Sequence, residues 1–187
     1  MSDWGSGVID AKVLAHLEGK GISCAVIGAL ALAAHGAPRY SADVDLMVMD
    51  PSILSPSFWE GHGLGNVDIR SGESDDPLGG VVRFEGTLPL DVIVGKSRAA
   101  RFALDNAMHH PQLPCKVVTP LGLALLKLEA GGMSDLQDLA MLREDQHRLT
   151  GWNLHQAVES QLPLLKQDAQ NNWKKFLRRF SNESSEA

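Results

Sequence analysis

Apolar and polar positions along the chain change period several times, and each change marks an element. Ile9, Val13, Leu14 and Leu17 recur at helical spacing within Val8 to Leu17, which predicts an amphipathic first helix packed on a sheet. Ser23 to Ile27 is a short apolar run that reads as a buried strand. Gly28 then opens an alanine-rich helix that ends near His35 and Gly36. Beyond it Asp43, Val44, Asp45 and Leu46 alternate, the period of a strand, so Asp43 and Asp45 share one face while Val48 continues the run. Pro51 to Trp59 suits a short helix. Gly61 to Gly80 is rich in Gly, Ser and Asp, interrupted by a strand at Val67 to Arg70, and reads as either a lid or a long surface loop. Gly80 to Glu85 and Leu88 to Val94 form a hairpin joined at Gly86-Thr87, with Leu90, Val92 and Val94 facing one way and Asp91 the other.

The second half turns helical. Ser97 to Ala107 predicts a helix, His109-His110 an exposed loop before a proline-containing turn, and Cys115 to Val118 a further strand. Thr119-Pro120 pairs a capping hydroxyl with a proline at the first helical position, and helices follow to the end. In the last of them Trp173, Phe176, Leu177 and Phe180 lie on one face and Lys174, Lys175, Arg178 and Arg179 on the opposite one. This is a closing helix with a solvated face, or else a basic strip for an RNA acceptor or an acidic partner. The expected class is α/β (α+β): a mixed sheet with helices mainly on one face, followed by a helical C-terminal portion. The expected boundaries are a core over 1–118, a helical portion over 119–180 and a polar, frayed tail over 181–187.

Composition narrows the classes. The chain has 187 residues, enough to bury about 70% of the surface of its unfolded form without cross-links. Cys24 and Cys115 lie far apart in sequence, without the spacing of a zinc cluster or a disulfide framework, which fits a reduced, cytoplasmic setting. The longest apolar run, Cys24 to Ala34, is much shorter than the roughly 20 residues of a membrane span, and no charged-then-apolar leader opens the chain. A soluble, unexported protein with no membrane partner is expected. A net charge of −6 excludes the global attraction to nucleic acid that a basic domain has, so any RNA contact must be local.

The candidate chemistry begins with Asp43 and Asp45. Two carboxylates in one small volume raise each other's pKa unless a cation neutralises them, and hard divalent ions such as Mg2+ take carboxylate oxygens together with phosphate oxygens. Gly28, at the preceding strand-to-helix turn, lets backbone N–H groups at a helix N-terminus approach an anion closely. Together these describe a metal and a triphosphate. Arg39, in the turn before the aspartates, reaches either a phosphate oxygen or a neighbouring carboxylate. Lys127 interrupts a leucine-rich helix and either snorkels to solvent or points into the cleft. Asp135 and Asp138 share a helix face in its first turn, where acidic residues also complement the helix dipole. None of the seven histidines has a ligand spacing that stands out; His35 either lines the cleft or caps its helix.

These residues resemble the nucleotidyltransferases of the DNA polymerase β superfamily, in particular the small bacterial group that includes AbiEii-type toxins and minimal nucleotidyltransferases. That pattern is a Gly-Gly or Gly-Ser pair, a short helix, a G-x-x-R-x-[ST] turn, Asp-x-Asp and a third carboxylate on a later strand. It corresponds here to Gly28-Ala29, Gly36 to Ser41, Asp43-Val44-Asp45 and Asp91, and continues through Lys127, Asp135 and Asp138, over residues 20–145. The resemblance implies Asp43, Asp45 and Asp91 as catalytic metal ligands for two Mg2+ ions, with Asp91 also the general base. It implies nucleotide contacts from Gly28, Ala29, Arg39, Ser41, Lys127 and Asp138. The implied reaction moves a nucleoside monophosphate from an NTP to a hydroxyl of a tRNA, a protein or a small molecule, releasing pyrophosphate. A cognate toxin or antitoxin is the implied protein partner. Ala29 departs from the pattern: it keeps the backbone N–H and lacks a hydroxyl, a difference of about 1 kcal/mol in nucleotide binding. The alternative is a non-catalytic module on the same fold that senses nucleotide or binds a partner.

Overall fold

The computed structural model describes residues 9–60, 63–64, 67–73, 76, 78–86 and 88–180. Val8, Thr87 and the tail from Ser181 to Ala187 lie outside the described residues. The described residues form seven strands and seven α-helices. The strands are β1 (Ala25–Val26), β2 (Val44–Val48), β3 (Val67–Ser71), β4 (Leu78–Phe84), β5 (Leu90–Gly95), β6 (Met108–His109) and β7 (Lys116–Val117). The helices are α1 (Ala11–Gly19), α2 (Gly28–Ala34), α3 (Arg98–Asp105), α4 (Pro120–Ala130), α5 (Met133–Thr150), α6 (Leu154–Gln161) and α7 (Gln167–Phe180).

One mixed sheet runs in the order β3-β4-β5-β2-β1-β7-β6. The pairs β2/β5 and β1/β7 are parallel and the other four antiparallel. Alternation survives where one sheet face is polar. In β4, Val82 and Phe84 are buried while Val81 and Arg83 are only half-buried, and in β5 Leu90, Val92 and Val94 are buried around half-buried Asp91 and Ile93. β2 departs from it. Leu46, Met47 and Val48 are all buried, because β2 lies inside the sheet between β5 and β1 and has cover on both faces. Asp43 stands at the entrance to β2 rather than within it; the first ladder residue is Val44, whose N–H donates to the Pro89 carbonyl at 2.9 Å.

Helix starts follow the side chains available to cap them. Asp10 accepts from the Lys12 N–H, Ser97 from Ala100 and Thr119 from Gly122, each satisfying a first-turn amide that the helix itself leaves free. Pro51 to Trp59 forms two 3-10 turns, Pro51–Leu54 and Pro56–Phe58, instead of one helix. Pro56 has no N–H to donate and forces Ser55 into an extended conformation, which breaks the segment. His109 is not in a loop: it pairs with Lys116, making a small antiparallel edge with Met108 and Val117. α4 is the centre of the helical portion and packs against α2, α3, α5, α6 and α7. α7 closes it, with Trp173 and Phe176 buried and their rings stacked at 5.4 Å, and the Trp173 indole N–H donating to Glu159 at 2.7 Å.

Candidate active site

The sheet register builds the site. Arg83 on β4 pairs with Asp91 on β5, and Asp91 pairs with Asp45 on β2, so three charged side chains form one row across three adjacent strands. The row continues toward β1, where the Ile27 N–H donates to the Asp45 carbonyl at 3.0 Å and the chain turns into α2. Gly28 takes φ +63° at this turn, and a Cβ there would collide with Asp45 Oδ2 and stand 3.0 Å from its Cγ. Only glycine therefore admits both the left-handed backbone and the carboxylate beside it. α2 has no acidic residue in its first turn, and its N-cap, Ile27, provides no side-chain hydrogen bond.

Burial and like charge act together on the carboxylates. Asp45 is pushed up to about 6, first by burial and then by Asp43 and Asp91, with Lys127 and Arg39 opposing. Asp91 is also raised, first by burial, against the pull of Arg83. Its Oδ1 is buried and accepts no hydrogen bond, with Arg83 Nε 3.5 Å away. Asp43 is held differently. Its Oδ1 accepts from the Ser41 hydroxyl at 3.0 Å, and its Oδ2 meets Arg83 Nη2 at 3.3 Å.

A second charged group lies across the cleft. Asp138, on α5 and buried, receives Arg39 Nε at 2.8 Å and Lys127 Nζ at 2.7 Å; Lys127 also reaches Asp135 at 2.8 Å. Asp135 in turn accepts from the Gly132 N–H, which fixes it at the start of α5. Lys127 is thus neither snorkelling nor free in the cleft, and Arg39 has taken the carboxylate of its two expected partners. Ala29 is buried, outside both the main apolar cluster and the cavity wall. His35 caps α2, and its ring nitrogen lies 2.7 Å from the Val118 carbonyl, with burial holding its pKa below the usual value.

Between the two groups is a cavity of about 450 Å3. Gly28, Asp45, Lys127 and Asp135 line its polar side, and Ile27, Met47, Ile93, Leu123 and Leu126 its apolar side. Glu129 also lines it, accepting from the Ser97 hydroxyl at 2.6 Å and raised by burial. Two residues of this arrangement escaped the sequence. A two-residue hairpin turn pairs Glu85 with Leu88 and therefore sets Val82 opposite Asp91; the actual register pairs Phe84 with Leu90 and sets Arg83 there. Glu129 has no sequence signal beyond a lone acid near a helix end.

Neither a protein-family model nor a curated protein matches the sequence. Solved structures do match. An antigenic nucleotidyltransferase-like protein from Paracoccidioides brasiliensis is similar at TM-score 0.52 and 17% identity, over 93% of this chain and 88% of that one. The fold is that of a nucleotidyltransferase. The antibiotic-resistance factor ANT(2'')-Ia is similar at TM-score 0.49 and 12% identity, over 92% of this chain and 91% of that one in solution. In its complex with adenylyl-2''-tobramycin the figures are 0.49 and 12%, over 81% and 95%. On this fold the carboxylate row lies at the amino ends of β2 and β5.

Among the described residues no group of three His, Cys, Asp or Glu side chains is drawn close enough to form a ready metal cage. Arg83 explains the spread, since its guanidinium holds Asp43 and Asp91 around itself. The donor set nonetheless fits a hard cation: Asp45 and Asp91 are neighbours in register, Asp91 Oδ1 is buried without a donor, and both carboxyls are raised, first by burial and then by their like-charged neighbours. No helix among the described residues is long and apolar enough to cross a membrane.

Proposed function

We propose that this protein is a Mg2+-dependent nucleotidyltransferase that moves a nucleoside monophosphate from an NTP to a hydroxyl acceptor and releases pyrophosphate. The observation that carries the reading is the pairing of Asp45 with Asp91 on adjacent strands, with Gly28 pressed against Asp45 at the mouth of a cavity. Asp43, Asp45 and Asp91 would hold Mg2+, which supplies charge neutralisation for the phosphates and a more acidic acceptor hydroxyl. Asp91 takes the hydroxyl proton, and the oxygen attacks the α-phosphorus in line with the departing pyrophosphate. Lys127 and Arg39 stabilise the charge on the leaving phosphates, with Gly28 and Ala29 contributing backbone N–H groups. Ser41 orients Asp43, and Asp138 orients Lys127 and Arg39. The acceptor belongs to the same three classes, tRNA, protein or small molecule.

A second reading has its own support. Lys127, Arg39 and Arg83, the cations nearest the carboxylates, are all engaged by carboxylates of this chain. A non-catalytic module that binds nucleotide or a protein partner, including a cognate toxin or antitoxin, would keep such pairs intact. Calorimetric titration of ATP, GTP, CTP and UTP, with and without Mg2+, separates the two. Metal-dependent binding that is lost in the Asp43→Asn, Asp45→Asn double variant supports the enzyme and identifies the donor base. Binding that ignores both the metal and Asp91→Asn supports the module.

A further inference from the structure

Cys24 and Cys115 are 91 positions apart in sequence, and the sheet makes them neighbours. Ala25 pairs with Lys116 in the parallel β1/β7 ladder, so each cysteine immediately precedes its strand in matching register, and the two residues stand side by side. Adjacent strands are about 4.8 Å apart, inside the range of about 4.4–6.8 Å between Cα atoms that a disulfide spans. Both side chains are half-buried and line a cavity of about 490 Å3 that also contains Arg101, His109 and Lys116, so a small oxidant has a way in. We propose that Cys24 and Cys115 are a reversible dithiol–disulfide pair, oxidised by hydrogen peroxide or a related peroxide, that clamps β1 to β7. The assignment does not rest on the catalytic reading.

The roles of the two sulfurs differ. The neighbouring thiol holds the Cys24 pKa below its usual value and that of Cys115 above it, so Cys24 is assigned as the attacking thiolate. The Cys24 thiolate attacks one peroxide oxygen, the O–O bond breaks, and hydroxide leaves to give Cys24 sulfenic acid. The Cys115 sulfur then attacks the Cys24 sulfur; the S–O bond breaks and water leaves as the disulfide forms. Two thiols and one peroxide become one disulfide and two waters. β1 and β7 run in parallel from these cysteines toward Gly28 and Thr119, so the clamp closes at the ends of the strands remote from the carboxylate row.

The test uses the reduced, full-length wild-type chain treated with stoichiometric hydrogen peroxide, blocked with N-ethylmaleimide, digested and mapped by mass spectrometry. The expected result is a Cys24–Cys115 cross-linked peptide from monomeric protein, with loss of both titratable thiols and their return after dithiothreitol. Cys115→Ser should accumulate sulfenic acid at Cys24, trapped by dimedone, and Cys24→Ser should leave Cys115 unmodified. Two titratable thiols surviving in wild type, or cross-links only between chains, would overturn the proposal. Because the mapping is done on wild type, a misfolded variant cannot mask the answer.

Discussion

Two charged groups face each other across the cavity, and they are built on opposite terms. In the α4/α5 group, Asp135 and Asp138 meet Lys127 and Arg39 at 2.7–2.8 Å, so two negative charges balance two positive ones around the buried Asp138. In the carboxylate row, Asp43 and Asp91 share one guanidinium at 3.3–3.5 Å, and Asp45, which it does not reach, is driven up to about 6. The same residue types therefore do different work. Balanced charges hold two helices and the α2/β2 turn together, whereas the unbalanced row stores a demand for positive charge that a proton on Asp45 or a bound cation relieves.

The balanced group should break hardest. Asp138→Ala leaves Lys127 and Arg39 short of their shared partner and should cost about 3–5 kcal/mol of stability, measured by urea unfolding. A double variant, Lys127→Met with Asp138→Leu, should recover most of that loss. If the double variant is as unstable as Asp138→Ala, the group is not a mutually compensated pair.

The row should respond in the opposite direction. The folded protein holds a proton on Asp45 up to about pH 6, while the unfolded chain releases it near 3.8, so the folded state binds the excess proton in between. Stability from this group is complete below 3.8 and is lost as pH rises through about 6. Asp45→Asn should thus stabilise the ligand-free protein by up to about 3 kcal/mol at neutral pH, and by little at pH 4. Comparing urea midpoints of the two proteins at both pH values checks this, and destabilisation at neutral pH would refute the charge imbalance. The same variant should lose Mg2+-dependent nucleotide binding.

Gly28→Ala should cost about 1–3 kcal/mol, through the left-handed backbone and the contact with Asp45. In an Asp45→Ala background the contact part should disappear and the backbone part remain, a difference that a double-mutant cycle reads directly. The smallest effect is expected at Arg83, which is one-third exposed. Arg83→Gln should change stability by less than about 1 kcal/mol. It should also tighten Mg2+ binding severalfold, because a competing cation has left the row; weaker Mg2+ binding would mean that Arg83 supports the site instead.

Much of this was legible from local pattern. The alternation of Leu90, Val92 and Val94 around Asp91 located β5 and set the direction of its carboxylate, and Thr119-Pro120 marked the start of α4 within a residue. Pairing was not legible. A short apolar run such as Ser23 to Ile27 marks a strand without saying which neighbour it takes, and the length of the hairpin connection decided that Arg83, not Val82, stands beside Asp91. The partners of Arg39 and Lys127 were open for the same reason: a guanidinium or ammonium has several acceptors within reach of its stem, and α5 supplies the buried one only after α4 and α5 have packed.

The sequence by itself determined most of the strand and helix inventory near the site, the order of Gly28, Asp43, Asp45 and Asp91 along the chain, and the alternation that sets Asp91 on the opposite face from Leu90 and Val92, because period and turn chemistry are local properties of the backbone. Tertiary structure alone decided that Arg83 joins the row, that Asp138 holds Lys127 and Arg39, and that Cys24 meets Cys115. Arg83 with Asp43, Arg39 with Asp138 and Cys24 with Cys115 join residues 40 or more positions apart, and Arg83 with Asp91 and Lys127 with Asp138 join successive elements. They depend on register and helix packing, which are set by the burial of the whole apolar core and not by any segment of it.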